Sequence, residues 1–218
     1  RRIECVDISH LGGTGTVGAV SVTIDGEISP KEARLYHVKK TQGGNDFEAI
    51  KEVLLRRFIR ATNREKGWDA PDLLLVDGGK GQLAIALAVL RELGISDQPV
   101  VSIAKAREGD GDVAWDRIFL PNQKNSIQIR ANASGLHILA TARDEAHRLA
   151  ISFQRRIRKS ESFKSTLDKI PGVGPKTKRL LLKHMGSIKR IREATQEDLA
   201  KIPGISSNIA SRIKENLK

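Results

Sequence analysis

Asp7 closes the apolar run "IECVD" and Asp77 closes "LLLVD". A carboxylate in a dry core costs several kcal/mol unless a partner or a bound cation offsets it. Both residues stand at or near the end of a β-rich stretch. In open sheets with helical connections, the C-terminal strand ends face the ligand crevice. If the two strands are neighbours, the carboxylates converge there as a hard oxygen site for a divalent cation. A local reading stays open: each Asp caps the turn that follows it, with Asp77 bonding the amides of "GGKG". His147, in "RDEAHRLA", continues a stripe of Leu136, Leu139, Ala140 and Arg143 that would pack a long helix on the sheet. Its ring can therefore project into the same crevice, although spacing alone does not bring it to the two Asp residues. A lone histidine is more often a surface or core residue.

A second group of residues suits phosphate. In "PGVGPKTKR" (171–179), two glycines let backbone amides approach an anion, and a helix N-terminus adds its dipole. Lys176, Lys178, Arg179 and Lys183 surround the turn with positive charge. "IPGVGPKTKRLL" from Ile170 returns as "IPGISSNIASRI" from Ile202, so Gly172 and Val173 match Gly204 and Ile205. In the second copy Ser206 replaces Gly174 and Asn208 replaces Lys176, so it should grip more weakly or serve mainly to pack the pair. Such turns contact backbone phosphates and bind DNA without reading its sequence. Gly13, Gly15 and Gly18 of "GGTGTVG" fit G-x-G-x-x-G, but a dinucleotide fold needs a helix to open there. The β-branched "TVGAVSVTI" follows instead, so a turn between strands is expected and no nucleotide cofactor. "DGGKGQ" lacks the spacing of a phosphate-binding P-loop.

These residues need a scaffold. Strands are expected at 3–8, 16–24 and 33–38, with Asp25-Gly26 as a hairpin turn. Asn45 or Asp46 can cap a helix to about 62, carrying Phe47, Ile50, Leu54 and Phe58 at helical spacing. A doubly covered strand follows at 72–77, then a helix at about 80–93 stopped by Gly94, and a strand at 99–105. The stretch 106–116 reads as a loop or hairpin tip, and 134–158 as a long helix with Ser134 as its cap. Strands in a row followed by strand–helix–strand alternation imply an α/β fold, a mixed sheet flanked by helices. The polar, basic stretch after 158 reads as a linker or a fraying helix end. The repeat beyond it makes a small all-helical module. The expected division is 1–158, a linker at 159–165, and 166–218.

Composition agrees. The 218 residues, 39% hydrophobic, can build one full domain and a small one. The formal charge of +12 favours a polyanionic partner. Residues 161–218 alone hold 13 Lys/Arg against 6 Asp/Glu. No apolar run approaches the roughly 20 residues of a membrane span, and the start is no signal peptide. A lone Cys5 excludes an internal disulfide and fits a reducing cytosol, so a cytoplasmic location is expected. Opening in mid-strand, the sequence reads as a fragment of a longer protein.

At "VDISH", "LLLVDGGKGQ", "RDEAHRLA" and "IPGVGPKTKRLLLKHMGS", the chain closely resembles the C-terminal half of the bacterial UvrC family, over essentially its whole length. The resemblance implies a ribonuclease-H-like endonuclease domain followed by a tandem helix-hairpin-helix domain. It implies a nuclease that makes the 5′ incision of nucleotide excision repair with Mg²⁺ or Mn²⁺. Carried over onto this sequence, the catalytic and metal-binding residues are Asp7, Asp77 and His147. Asp46, before the first long helix, is a further acidic candidate. Lys80, Lys105 and Arg143 are candidates for the scissile phosphate. Implied partners are DNA, above all single-strand/double-strand junctions, and UvrB in its complex with DNA. The family's GIY-YIG nuclease and its UvrB-interaction segment have no counterpart in these 218 residues. Val6 stands where an aromatic residue is expected, and the 106–116 loop looks longer and more acidic than expected. A catalytically silent, structure-specific DNA-binding module is the alternative.

Overall fold

A computed structural model describes residues 1–11, 15–39, 46–105, 116–128 and 133–217. The chain forms two compact units, Arg1–Gln154 and Arg155–Lys218.

In the first unit, the described strands make one mixed sheet. Its strands are β1 (Arg2–Leu11), β2 (Gly15–Ile24), β3 (Glu27–Ile28), β4 (Arg34–Val38), β5 (Leu73–Asp77), β6 (Val100–Ala104), β7 (Arg117–Phe119) and β8 (Ile127–Gln128). The order is β3-β2-β1-β5-β6-β7-β8, with β4 also on β2. β1, β5 and β6 run parallel at the centre, and the outer pairings are antiparallel. Asp25 and Gly26 both adopt positive φ, as a two-residue hairpin turn demands, and they join β2 to β3. The glycine-rich stretch leads into β2 rather than a helix, which removes the dinucleotide reading. Gly12, Gly13 and Thr14 lie outside the described residues. Gly18 is needed for a different reason: a Cβ there would come 2.5 Å from Val53 Cγ2.

Helices α1 (Asp46–Thr62) and α2 (Lys80–Glu92) pack on one face of the sheet. Ile50, Leu54 and Phe58 of α1 join Val6, Leu74 and Val76 in that core. Phe47 does not; it is exposed, with its ring edge near Gly81 at the start of α2. Helix α3 (Ser134–Asp168) covers the other face, against Cys5, Leu75, Ile103 and Ile118. Its buried stripe differs from the expected one: Ala142, Ala146 and Ala150 are fully buried, whereas Leu139 and Ala140 are only partly so. Three alanines at i, i+4 and i+8 let the helix approach closely, and Ser21 Oγ donates to the Ala142 carbonyl at 2.7 Å. Of the expected loop at 106–116, residues 106–115 lie outside the described residues. β7 and β8 are too short for their alternation to show in the sequence.

α3 also runs ten residues past its expected end, so the segment 159–165, read as a linker, is helical. Phe163 and Leu167, four residues apart, anchor that last stretch in the core of the second unit. That unit adds α4 (Pro175–Met185), α5 (Ile188–Glu193), α6 (Gln196–Ala200) and α7 (Ser207–Asn216). Its core follows the 32-residue repeat: Ile170, Val173 and Leu181 match Ile202, Ile205 and Ile213, all buried.

Candidate metal centre and nucleic-acid interface

Alternation along the strands decides which way the carboxylates face. Cys5 and Leu75 pack toward α3, whereas Val6 and Val76 pack toward α1 and α2. Asp7 and Asp77, two residues beyond Cys5 and Leu75, therefore face α3. The parallel register pairs Cys5 with Leu75 and Val6 with Val76, and one further step sets Asp7 beside Asp77. His147 reaches them from α3, with Nδ1 3.0 Å from Asp7 Oδ2. One donor atom from each of the three lies within 4.8 Å of the others. Asp7 is 7% exposed, while the His147 side chain is 58% exposed.

The local electrostatics are unfavourable for two bare carboxylates. Burial, and then the charge of Asp7, push the Asp77 carboxyl up to about 6, against the pull of Arg143 and His147. Burial also raises Asp7, and its hydrogen bond to His147 opposes this. The turn after β5 is closed without Asp77. Gln82 Oε1 accepts from the Gly79 amide at 3.1 Å, and Ser102 Oγ donates to the Gly79 carbonyl at 3.1 Å. Among the described residues, no side-chain hydrogen bond engages Asp77, so the turn-capping reading does not hold for it.

The other candidates divide. Asp46 opens α1 and bonds His10 Nε2. It stands outside the three-residue set, yet its charge is felt by Asp7. Arg143 is buried beside the carboxylates, but its guanidinium is held by Asp116 and Asp144. Lys80 is turned to the Lys124 carbonyl at 3.2 Å, and Lys105 is exposed just past β6. His10 and Thr16 carried no sequence signal of their own; only a contact across the strand end marks them.

In the second unit, Gly172 and Gly204 take φ of +87° and +92°, where a side chain is strained. The Val173 and Ile205 amides close matching turns onto Ile170 and Ile202 at 3.1 and 3.0 Å. Gly174 caps α4 with Pro175 at its first position, and a Cβ on Gly174 would meet open space. Ser206, its counterpart, instead spends its hydroxyl on the Ile209 amide. Lys176, Arg179 and Lys183 are exposed along α4. Lys178 is not one of them. It is 16% exposed and paired with Asp168, and its repeat counterpart Ala210 is fully buried.

Residues 1–151 match the model of the UvrC RNase H endonuclease domain. The chain belongs to the UvrC family. Residues 164–218 match the SAM-like helix-hairpin-helix tandem. Among UvrC-family relatives, the UvrABC system protein C of Trichlorobacter lovleyi is 46% identical over 98% of this chain and 36% of that protein. The one from Desulfatibacillum aliphaticivorans is 44% identical over 100% of this chain and 35% of that protein. The chain thus spans about a third of the length of these relatives. A crystal structure of Ciona intestinalis endonuclease V, in complex with DNA containing an inosine, aligns with TM-score 0.44 and 9% identity. It covers 72% of this chain and 86% of that one, a likeness too distant to bear on chemistry.

Proposed function

We propose that this chain is a divalent-metal-dependent endodeoxyribonuclease that makes the 5′ incision of bacterial nucleotide excision repair. The observation that carries the proposal is the convergence of Asp7, Asp77 and His147 where the parallel pairing of β1 with β5 ends, Asp77 closing β5 and Asp7 lying within the longer β1. The donor set fits a hard cation: a buried and a half-buried carboxylate whose ionised forms are mutually unfavourable, with an imidazole beside them. Asp7 and Asp77 would hold Mg²⁺ or Mn²⁺, which when bound supplies Lewis acidity to water and to the scissile phosphodiester. Asp7 also orients the His147 ring through Nδ1. That leaves Nε2 on the exposed side to accept or return a proton while the water–phosphorus bond forms and a P–O bond breaks. Gly172, Gly174 and the exposed cations Lys176, Arg179 and Lys183 of α4 would hold the DNA backbone, with Gly204 and Ile205 in support. Single-strand/double-strand junctions and the UvrB–DNA complex are the partners this reading assigns, in the cytoplasm.

The test is nicking of a bubble substrate in a full-length protein reconstituted with its partners. Asp77→Asn is expected to abolish the 5′ cut and leave DNA affinity nearly intact. A 5′ cut that survives the substitution refutes the assignment and leaves a silent DNA-binding module.

A further inference from the structure

We propose that His10 is a positioning residue of the cation site, holding the Asp46 carboxylate at its rim through a Thr16–His10–Asp46 hydrogen-bond chain. This rests on the cation site proposed above. β1 continues four residues beyond Asp7, and alternation turns Ile8 and His10 toward the α1 face. The antiparallel register pairs His10 with Thr16 on β2, and Thr16 Oγ1 lies 2.9 Å from His10 Nδ1. The other ring nitrogen, Nε2, meets Asp46 Oδ1 at the start of α1.

The chain has a direction. An ionised carboxylate only accepts, so Nε2 carries the hydrogen, and in that tautomer Nδ1 accepts a hydrogen bond from the Thr16 hydroxyl. Thr16 is buried, so this end of the chain is rigid, whereas the Asp46 side chain is 50% exposed and rotates freely without an anchor. Asp46 is close enough for its charge to act on the Asp7 carboxyl. Fixed in place, it adds a third negative charge to the field that attracts a cation to Asp7 and Asp77. Such supporting hydrogen bonds typically contribute about 10- to 100-fold to metal affinity.

Mn²⁺ binding to the whole chain, followed by electron paramagnetic resonance together with thermal melting, tests this. His10→Ala and Asp46→Asn are each expected to weaken Mn²⁺ binding by about tenfold. The double variant should bind no more weakly than Asp46→Asn alone. His10→Gln, whose amide nitrogen can reach where Nε2 stood, should bind like the unsubstituted chain and melt with it. Equal weakening by His10→Gln and His10→Ala, or additive losses in the double variant, overturns the positioning role. Undiminished Mn²⁺ binding by Asp77→Asn overturns the cation site itself, and the role of His10 with it.

Discussion

Asp77 carries a carboxyl pushed up to about 6 by burial and by the charge of Asp7, so its ionised form is a burden on the metal-free fold. Its folded value lies above its unfolded one. The stability it permits is therefore complete below the unfolded value and is lost as pH rises through about 6. Asp77→Asn removes that burden. The metal-free variant is expected to be more stable than the parent at pH 7.5 by on the order of 2 kcal/mol. The gain should shrink as pH falls from about 6 toward 4, which urea titrations at several pH values would measure; a constant gain would point to packing instead. His147 presents the opposite balance. Its side chain is largely exposed, so His147→Ala should change stability by no more than about 0.5 kcal/mol. Incision should fall by about 100-fold or more, the scale of a lost proton-transfer group. Parallel losses in melting temperature and nicking rate would make the residue structural.

At the scale of elements, the two hairpins of the second unit are related but unequal. A Cβ on Gly172 would come 3.1 Å from Arg212, and one on Gly204 would come 3.0 Å from Leu180. These contacts are equivalent under the 32-residue repeat, each turn resting on the final helix of the other copy. Gly172 also needs its positive φ, so Gly172→Ala is expected to destabilise the unit by about 1 kcal/mol. Gly174 has ordinary dihedrals and open space around it, so Gly174→Leu should fold normally. It should nevertheless weaken DNA binding on every sequence alike, because the side chain stands where a phosphate would meet the amides. Melting curves and anisotropy titrations on two unrelated duplexes separate the outcomes. A folded Gly174→Leu variant with full affinity would move the DNA contact elsewhere.

For the whole molecule, a formal charge of +12 sets the terms of association with a polyanion. Not every lysine takes part. Lys176 is exposed on α4, whereas Lys178 is mostly covered and paired with Asp168. Lys176→Ala should therefore reduce the slope of log affinity against log salt by about 0.9, one phosphate contact. Lys178→Ala should leave the slope nearly unchanged. A salt series on a bubble and on a perfect duplex would check both, and equal changes for the two lysines would contradict the inward placement. A buried charge pair ties the first unit together. Arg57 Nε and Nη2 donate to Glu4 at 2.7 and 2.8 Å, while Nη1 and Nη2 also hold the carbonyls of Trp68 and Asp69. One guanidinium thus fastens β1, α1 and the connection to β5, the strand that delivers Asp77.

Local signals were sufficient for much of this architecture. The apolar runs ending in Asp7 and Asp77, the Asp25-Gly26 turn, the stop at Gly94 and the Ile-Pro-Gly repeat are each set by a few adjacent residues. Backbone preference and periodicity act over that range, and the motifs carrying the family resemblance lie there too. Contacts between distant segments had to be decided by packing. Nothing near Asp7 announces that β5, some 70 residues on, becomes its parallel neighbour, or that His147 returns within 3.0 Å of it. The same limit hid the end of α3, because the polar stretch after 158 is kept helical by Phe163 and Leu167 meeting a core built from later residues. It also hid the inward turn of Lys178 and the chain from Thr16 through His10 to Asp46. Charge and hydrogen-bonding capacity belong to a residue type, but which partner uses them depends on which segments the core brings together.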